Sequence, residues 1–337
     1  MKKIACCLIV FCSFFVFSNA VFSATFKIAT LSPDGSYWMT KLRAAADEVK
    51  QKTLGRVKFK FYPGGVMGDD KAVLKKMRIR QLQGGAFTSN ALSKYYKDLQ
   101  IYNLLNIFHS LHEVDYVRSK MDGEILKGLQ KGGIEAIGLA EMGFAYVMSM
   151  QPVVTVDDIR KSKAWVPDND PTALAAIKSF GISPIPLAFS DVLLGLQSGM
   201  IETVAGTPIA AIALQWHTQI KYLANIPLPY IFGIFALDQK AFNKLSVADQ
   251  QIVRDVFSKA LKEIDKQNRK DNVAALAALK NNNIQFLEPD KAGLQEFITL
   301  SSMANAAQLD KGNVSRPAYA ELTKYLQEYR EHSLVSK

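Results

Sequence analysis

Cysteine is almost missing from this 337-residue chain: Cys6, Cys7 and Cys12 are the only three, all near its start. They fall in a segment that opens Met1-Lys2-Lys3, runs apolar from Ile4 to Phe17, and reaches small-residue sites at Ser18-Asn19-Ala20 and Val21-Phe22-Ser23. That layout predicts a secretory signal peptide over residues 1–23, cut between Val21 and Thr25. An apolar run of about 14 residues is too short for a bilayer, which needs roughly 20. Neither Cys6 nor Cys12 follows the small-residue pattern of a lipid-modified cysteine, so the expectation is an unanchored periplasmic protein. Its mature chain would hold no cysteine, which excludes disulfide scaffolds, thiolate catalysis and cysteine metal sites. No later stretch is long and apolar enough to predict a membrane span.

Histidine is scarce too, with four in all. His109 and His112 are three apart, but no third ligand is in view, so no metal is expected. There is no Gly-x-Ser-x-Gly elbow, and a nucleophile and base pair has few possible members, so no catalytic residue and no cofactor is expected. Gly64 to Lys71 lacks the Gly-Lys-Ser/Thr ending of a phosphate loop and puts Asp69 and Asp70 where phosphates would sit. It reads as a turn and an Asp-capped helix start. Asp168-Asn169-Asp170, followed by Pro171, reads as a loop and helix cap. The net charge of +10 falls to +8 without Lys2 and Lys3, and the charges are interspersed along helical segments such as 41–52 and 245–270. The densest basic stretch, Lys75 to Arg80, has no interleaved aromatics, so nucleic acid is not an expected partner.

What is present is repeated alternation of strand and helix. Thr25 to Thr30 alternates as a strand, Ser32-Pro33-Asp34-Gly35 turns, Tyr37 to Lys52 has helical periodicity, and Val57 to Tyr62 alternates again. A helix over about 69–81 and a short strand over 84–87 follow. Residues 135–139, 146–149, 164–167, 184–187 and 203–205 read as further strands, with helices over 171–180 and 191–198 and another from near Ile209. A long helix runs from roughly Val247 to Asn282. This order predicts an α/β fold with a parallel sheet. About 310 residues exceed one core, so two lobes are expected. No Gly/Ser linker appears, which predicts lobes that exchange strands. Ligand crevices in such sheets lie at the strands' carboxyl ends, here the segments beginning Leu31, Thr88, Trp165, Phe189 and Gly206. Trp38, Trp165 and Trp216 fall at element ends facing that crevice and are read together as a ligand wall.

Several segments in this order resemble the substrate-binding subunits of tripartite ATP-independent periplasmic (TRAP) transporters of the DctP type, over nearly the whole mature chain. They are Phe26-Lys27-Ile28-Ala29-Thr30 with Gly35-Ser36-Tyr37-Trp38; Gly55-Arg56-Val57 with Tyr62 to Asp70; Pro184 to Asp191; and Leu196 to Glu202. The resemblance implies two α/β lobes joined by crossing strands and a long helix: lobe I over 24–142 plus about 233–271, lobe II over 143–232 plus about 272–337. It also implies a small molecule buried between the lobes and delivered to a small and a large membrane subunit of the transporter.

The family's central contact is an arginine in a Lys-x-Arg-x-Pro strand, which clasps the carboxylate of an organic acid. Here that strand is similar to Lys163-Ala164-Trp165-Val166-Pro167, with Trp165 in the arginine's place. A second arginine of the family is matched by Ala145, an asparagine by Gly206 beside Thr207, and a polar contact by Ser89. Only the aromatic Phe189 is kept. These departures imply a neutral or apolar ligand held by Trp165, Phe189, Trp216, Met142 and Leu31, since a buried carboxylate without a cation is costly. Glu141 and Asp168 leave room for a cationic or hydroxylated one, and Arg78 or Arg80 is the candidate to rescue an organic acid. A ligand-presenting sensor subunit and a periplasmic enzyme on the same scaffold are the competing functions.

Overall fold

The computed structural model describes residues 23–168 and 170–335; the leader up to Phe22, and Asn169, lie outside the described residues. The chain opens with β1 (Ala24–Thr30), α1 (Tyr37–Lys52), β2 (Val57–Tyr62), α2 (Asp70–Arg78) and β3 (Gly84–Thr88). Two 3-10 turns, Asn90–Leu92 and Lys97–Asn103, lead to α3 (Leu111–Lys131) and β4 (Ile134–Phe144). Next come β5 (Tyr146–Ser149), α4 (Val156–Lys161), β6 (Trp165–Pro167), α5 (Pro171–Ser179) and β7 (Ile185–Leu187). After a turn at Phe189–Asp191 follow α6 (Val192–Gln197), β8 (Thr203–Gly206), α7 (Pro208–Ala213), and, past Trp216–Thr218, β9 (Tyr222–Ala224). The remainder is β10 (Tyr230–Asp238), α8 (Gln239–Phe242), α9 (Val247–Asn281), β11 (Gln285–Leu287), α10 (Lys291–Asp310) and α11 (Arg316–Val335).

Lobe I is built on a five-stranded sheet in the order β2-β1-β3-β10-β4, and lobe II on a four-stranded sheet, β11-β9-β5-β8, beside the short parallel pair β6-β7. The expected parallel sheet is found only in part. β1 pairs in parallel with β2 and β3, but β10 runs antiparallel to both β3 and β4. In lobe II, β5 is antiparallel to β8 and β9. The reason is connectivity. β4 leaves lobe I at its carboxyl end and continues into lobe II through Ala145, whereas β10 re-enters lobe I from that same end and so must point back. The two crossing strands bond to each other there, Ala145 N to Pro229 O at 3.2 Å and Leu228 N to Ala145 O at 2.8 Å.

The lobe I sheet is covered on both faces, so β10 is apolar throughout instead of alternating. Phe235 and Leu237 join Met39, Leu42 and Phe257 under α1 and α9, while Phe232 and Ile234 face Val117 and Met121 of α3. Leu322 and Leu326 of α11 are buried in that second cluster, so residues 316–335 pack on lobe I. The sequence division had placed them with lobe II. Helix α11 carries its apolar residues toward α3, and nothing in its local pattern names the lobe that receives them. Helix α10 does stay on lobe II, against α4 and α5.

Helix α9 spans both lobes, as expected from its length. Its 35 residues make a rod of about 52 Å at 1.5 Å per residue. Val256, Phe257 and Ile264 are buried in lobe I and Leu279 in lobe II. Midway, Asn268 and Asn272 donate side-chain hydrogen bonds to the carbonyls of Glu141 and Met142 at the end of β4. Gly143 sits beside them with φ +100°, and a Cβ there would lie 2.7 Å from Asn272 Nδ2. Both the backbone conformation and the close approach require glycine.

Candidate ligand-binding site

A cavity of about 320 Å³ opens between the lobes and continues into lobe II. Leu31, Thr88, Trp165, Phe189 and Gly206, the residues that begin the five expected segments, all line it. Lobe I contributes the start of α2, the end of β3 and the turn around Gln100 and Asn103; lobe II contributes β5, β6, β8 and helices α4, α5, α7 and α10. Helices α2, α4, α5 and α7 begin there, so four helix N-termini meet the cavity. Each is already capped by its own side chain: Asp69 accepts from Ala72 N at 2.8 Å, Thr155 from Asp158 N at 3.2 Å, Asp170 from Ala173 N at 2.7 Å, and Thr207 from Ala210 N at 3.4 Å. The partial positive charge of those helix starts is therefore met within the protein, and the two Asp-capped starts behave as the sequence predicted.

No lysine, arginine or histidine lines the cavity among the described residues; Asp69, Asp70, Asp168 and Asp170 do. Burial pushes the Asp70 carboxyl up to about 6 against the opposing hydrogen bonds from Thr88 N and Oγ1. Burial likewise raises Asp170 to about 6, although its cap bonds favour the ionised form. Arg78 and Arg80 do not reach in. The amino end of α2 faces the cavity, and both arginines are exposed at or beyond its other end, eight residues or about 12 Å further along.

Trp165, Phe189, Gly206, Thr207, Ser89, Ala145, Leu31, Met142 and Asp168 all line the cavity. Trp165 is buried, and its indole Nε1 donates to Leu187 O at 3.1 Å. Its ring meets Phe189 at 5.4 Å and Trp216 at 5.6 Å between centroids, both edge-on, and Phe189 meets Trp216 at 5.3 Å. Edge-to-face rings fix one another's orientation, so Trp165 presents a rigid wall. Ser89 Oγ donates to Asn103 Oδ1 at 2.9 Å, holding both polar groups at the lobe I side.

Three expected contacts lie elsewhere. Trp216 is fully buried behind the wall, absent from the lining. A Cβ on Gly206 would come within 2.8 Å of its ring, so the packed indole leaves room for glycine there. Trp38 lies on α1 in the lobe I core, its Nε1 bonded to Asn268 Oδ1 at 3.1 Å. Glu141, placed in the cleft by its position at the end of β4, is fully buried on the α9 side. It accepts from Arg269 at 2.9 and 2.6 Å and from Tyr230 Oη at 3.3 Å.

Gln100, Thr203, Asp70, Asp170 and the α4 and α10 walls were not anticipated. Gln100 lies on an irregular 3-10 run with no periodicity to mark it, and the helical walls reach the cavity only through tertiary packing. Gln100 Nε2 and Thr203 Oγ1 are buried without a hydrogen-bond partner in the protein. Both residues line the cavity, so a bound molecule is in position to satisfy them. Among the described residues no cluster of three metal-ligating side chains occurs, and no helix is long and apolar enough to cross a membrane.

The chain is thus a two-lobed α/β structure with a cavity at its strand ends. The family model for bacterial extracellular solute-binding proteins, family 7 (DctP), matches residues 28–308, and the chain belongs to that family, one of TRAP solute receptors and not of enzymes. It is similar to a solute-binding protein of Verminephrobacter eiseniae, 23% identical over 86% of each chain. It is 22% identical to the sialic acid-binding periplasmic protein SiaP of Vibrio cholerae, over 81% of this chain and 86% of SiaP. The sugar acid binding protein DctPAm from Advenella mimigardefordensis, solved in complex with galactonate, superposes with a TM-score of 0.83 at 16% identity, covering 91% of this chain and 98% of that one. That likeness establishes the fold.

Proposed function

We propose that this receptor captures a neutral or hydrophobic solute in its inter-lobe cavity and delivers it to the small and large membrane subunits of a TRAP transporter. The observation that carries this reading is the absence of any lining lysine, arginine or histidine among the described residues, with Trp165 in the position where the resemblance implies an arginine. Desolvating a carboxylate there costs several kcal/mol with no cation to offset it. Four lining aspartates would add repulsion, and the helix N-termini that might attract an anion are already capped. The names of the relatives favour a second reading, an organic acid, because SiaP and DctPAm are named for acids.

Native mass spectrometry of the protein taken from its own periplasm, followed by denaturing release, separates the two. The expected cargo is uncharged at pH 7. Trp165→Ala should weaken its binding by about 1.5–3 kcal/mol, the worth of one large apolar contact, while Trp165→Phe retains most of it. A carboxylate as sole cargo would sink the neutral-ligand reading. Adjacent genes for a paired small and large membrane subunit would separate transport from presentation to a sensor.

A further inference from the structure

The part of the cavity inside lobe II is a chamber in what would ordinarily be packed core. Val147, Ala205 and Ala224 stand opposite one another across β5, β8 and β9 and share one face of the sheet. Met148, Val204 and Leu223, on alternate positions, fill the other face together with Trp216. Protein interiors are normally filled to crystal-like density by interdigitated large side chains. Here the inner face bears small ones, and the elements roofing it present Val156, Ile177 and Phe297 across open space. The whole cavity, cleft and chamber together, has the volume of roughly ten waters, yet its walls offer few polar partners. Two buried polar atoms on those walls, Gln100 Nε2 from lobe I and Thr203 Oγ1 from lobe II, have no hydrogen-bond partner in the protein.

We infer that the solute is an uncharged amphiphile whose apolar body, a hydrocarbon chain or fused ring, passes between the lobes into this chamber. Its carbonyl or hydroxyl oxygen accepts from Gln100 Nε2. This inference rests on the neutral-ligand reading and adds to it a second compartment, the chamber beneath α4, α5 and α10, and a length requirement. The small side chains at 147, 205 and 224 set how much hydrocarbon fits, because each larger residue would occupy the volume of several methylenes.

The test is calorimetric titration of the protein, stripped of cargo by unfolding and refolding, with straight-chain alkan-1-ols from butanol to decanol. The expected result is affinity that rises roughly fourfold per added methylene and levels off when the chamber is full. Ala224→Phe, and Ala304→Phe on the α10 wall that also lines the cavity, each confirmed folded by an unchanged thermal transition, should make the plateau arrive at a shorter chain. A wild-type series with no dependence on chain length would overturn the chamber whatever the variants do. So would a plateau that neither substitution moves. If alcohols of every length bind equally and Trp165→Ala still weakens them, the neutral-ligand reading survives and the chamber alone fails. If only carboxylates bind, both fail.

Discussion

Two interiors of this molecule treat charge in opposite ways. At the crossing of β4, β10 and α9, charged side chains are concentrated and mutually satisfied. Arg269 bridges Glu141 and Asp115, and Arg118 reaches Asp122 and Asp265 at 3.1 Å each and Tyr230 Oη at 3.0 Å. Burial works against the Arg118 charge, but Tyr230, Asp122 and Asp265 outweigh it and hold its pKa above the usual arginine value. Across the same strand ends, the cavity walls carry no cation, and two of their carboxyls are pushed toward neutrality. Paired charges can be buried where every partner is fixed. A site whose contents come and go cannot guarantee a partner, and on its walls Gln100 Nε2 and Thr203 Oγ1 find none within the protein.

Breaking the charged side should have the largest effect. Arg269→Ala leaves Glu141 buried with only Tyr230 as partner, and is expected to cost about 3–5 kcal/mol in chemical denaturation. Ligand affinity of the folded fraction should stay unchanged, because Arg269 is not a lining residue.

The cavity side is sharpened by pH. The Asp70 carboxyl titrates near 3.8 when unfolded and near 6 in the fold. Between those values the folded state binds the extra proton, so stability falls as pH rises through the window, by about 3 kcal/mol in full. Asp70→Asn should remove that share of the dependence in melts between pH 4 and 7.5, leaving the like contribution of Asp170, and make the protein more stable than wild type at the upper end. The charged crossing has the opposite sign: the Arg269 hydrogen bond holds the Asp115 carboxyl below its ordinary value, so its contribution is present at neutral pH and is lost only in acid, below about 3.8.

The smallest effect concerns the wall between the two regions of lobe II. Gly206→Ala forces the Trp216 ring to shift and is expected to cost about 1–3 kcal/mol, as overpacking does. Affinity should fall with it only if the displaced ring carries Trp165 along, which paired denaturation and titration curves will show.

Much of the lobe I scaffold was legible because its signals are local. Alternation marked β1 and β2, and the helical period marked α1 at the observed bounds. The strand-end rule then located five cavity segments. The sheet's mixed direction was not legible, since it depends on where β10 re-enters, and no local pattern records that. Glu141 and Trp216 were misplaced for a related reason. Glu141 stands next to the lining Met142, but alternation along β4 sends it to the opposite side; Trp216, on a 3-10 turn past α7, packs behind Trp165 and Phe189 through tertiary contacts that its own segment does not record. Gln100 and Phe297 come together across the cavity from segments almost two hundred positions apart, with nothing in either to announce the other.

The chain passes between the lobes at four places: β4 into β5, β9 into β10, along α9, and from α10 back to α11. A single tether would leave the lobes free to drift and tilt in any direction. Four passages, two of them bonded to each other at Ala145 and one pinned to β4 by Asn268 and Asn272, subtract nearly all of those degrees of freedom. Any movement of one lobe against the other must therefore bend these passages together.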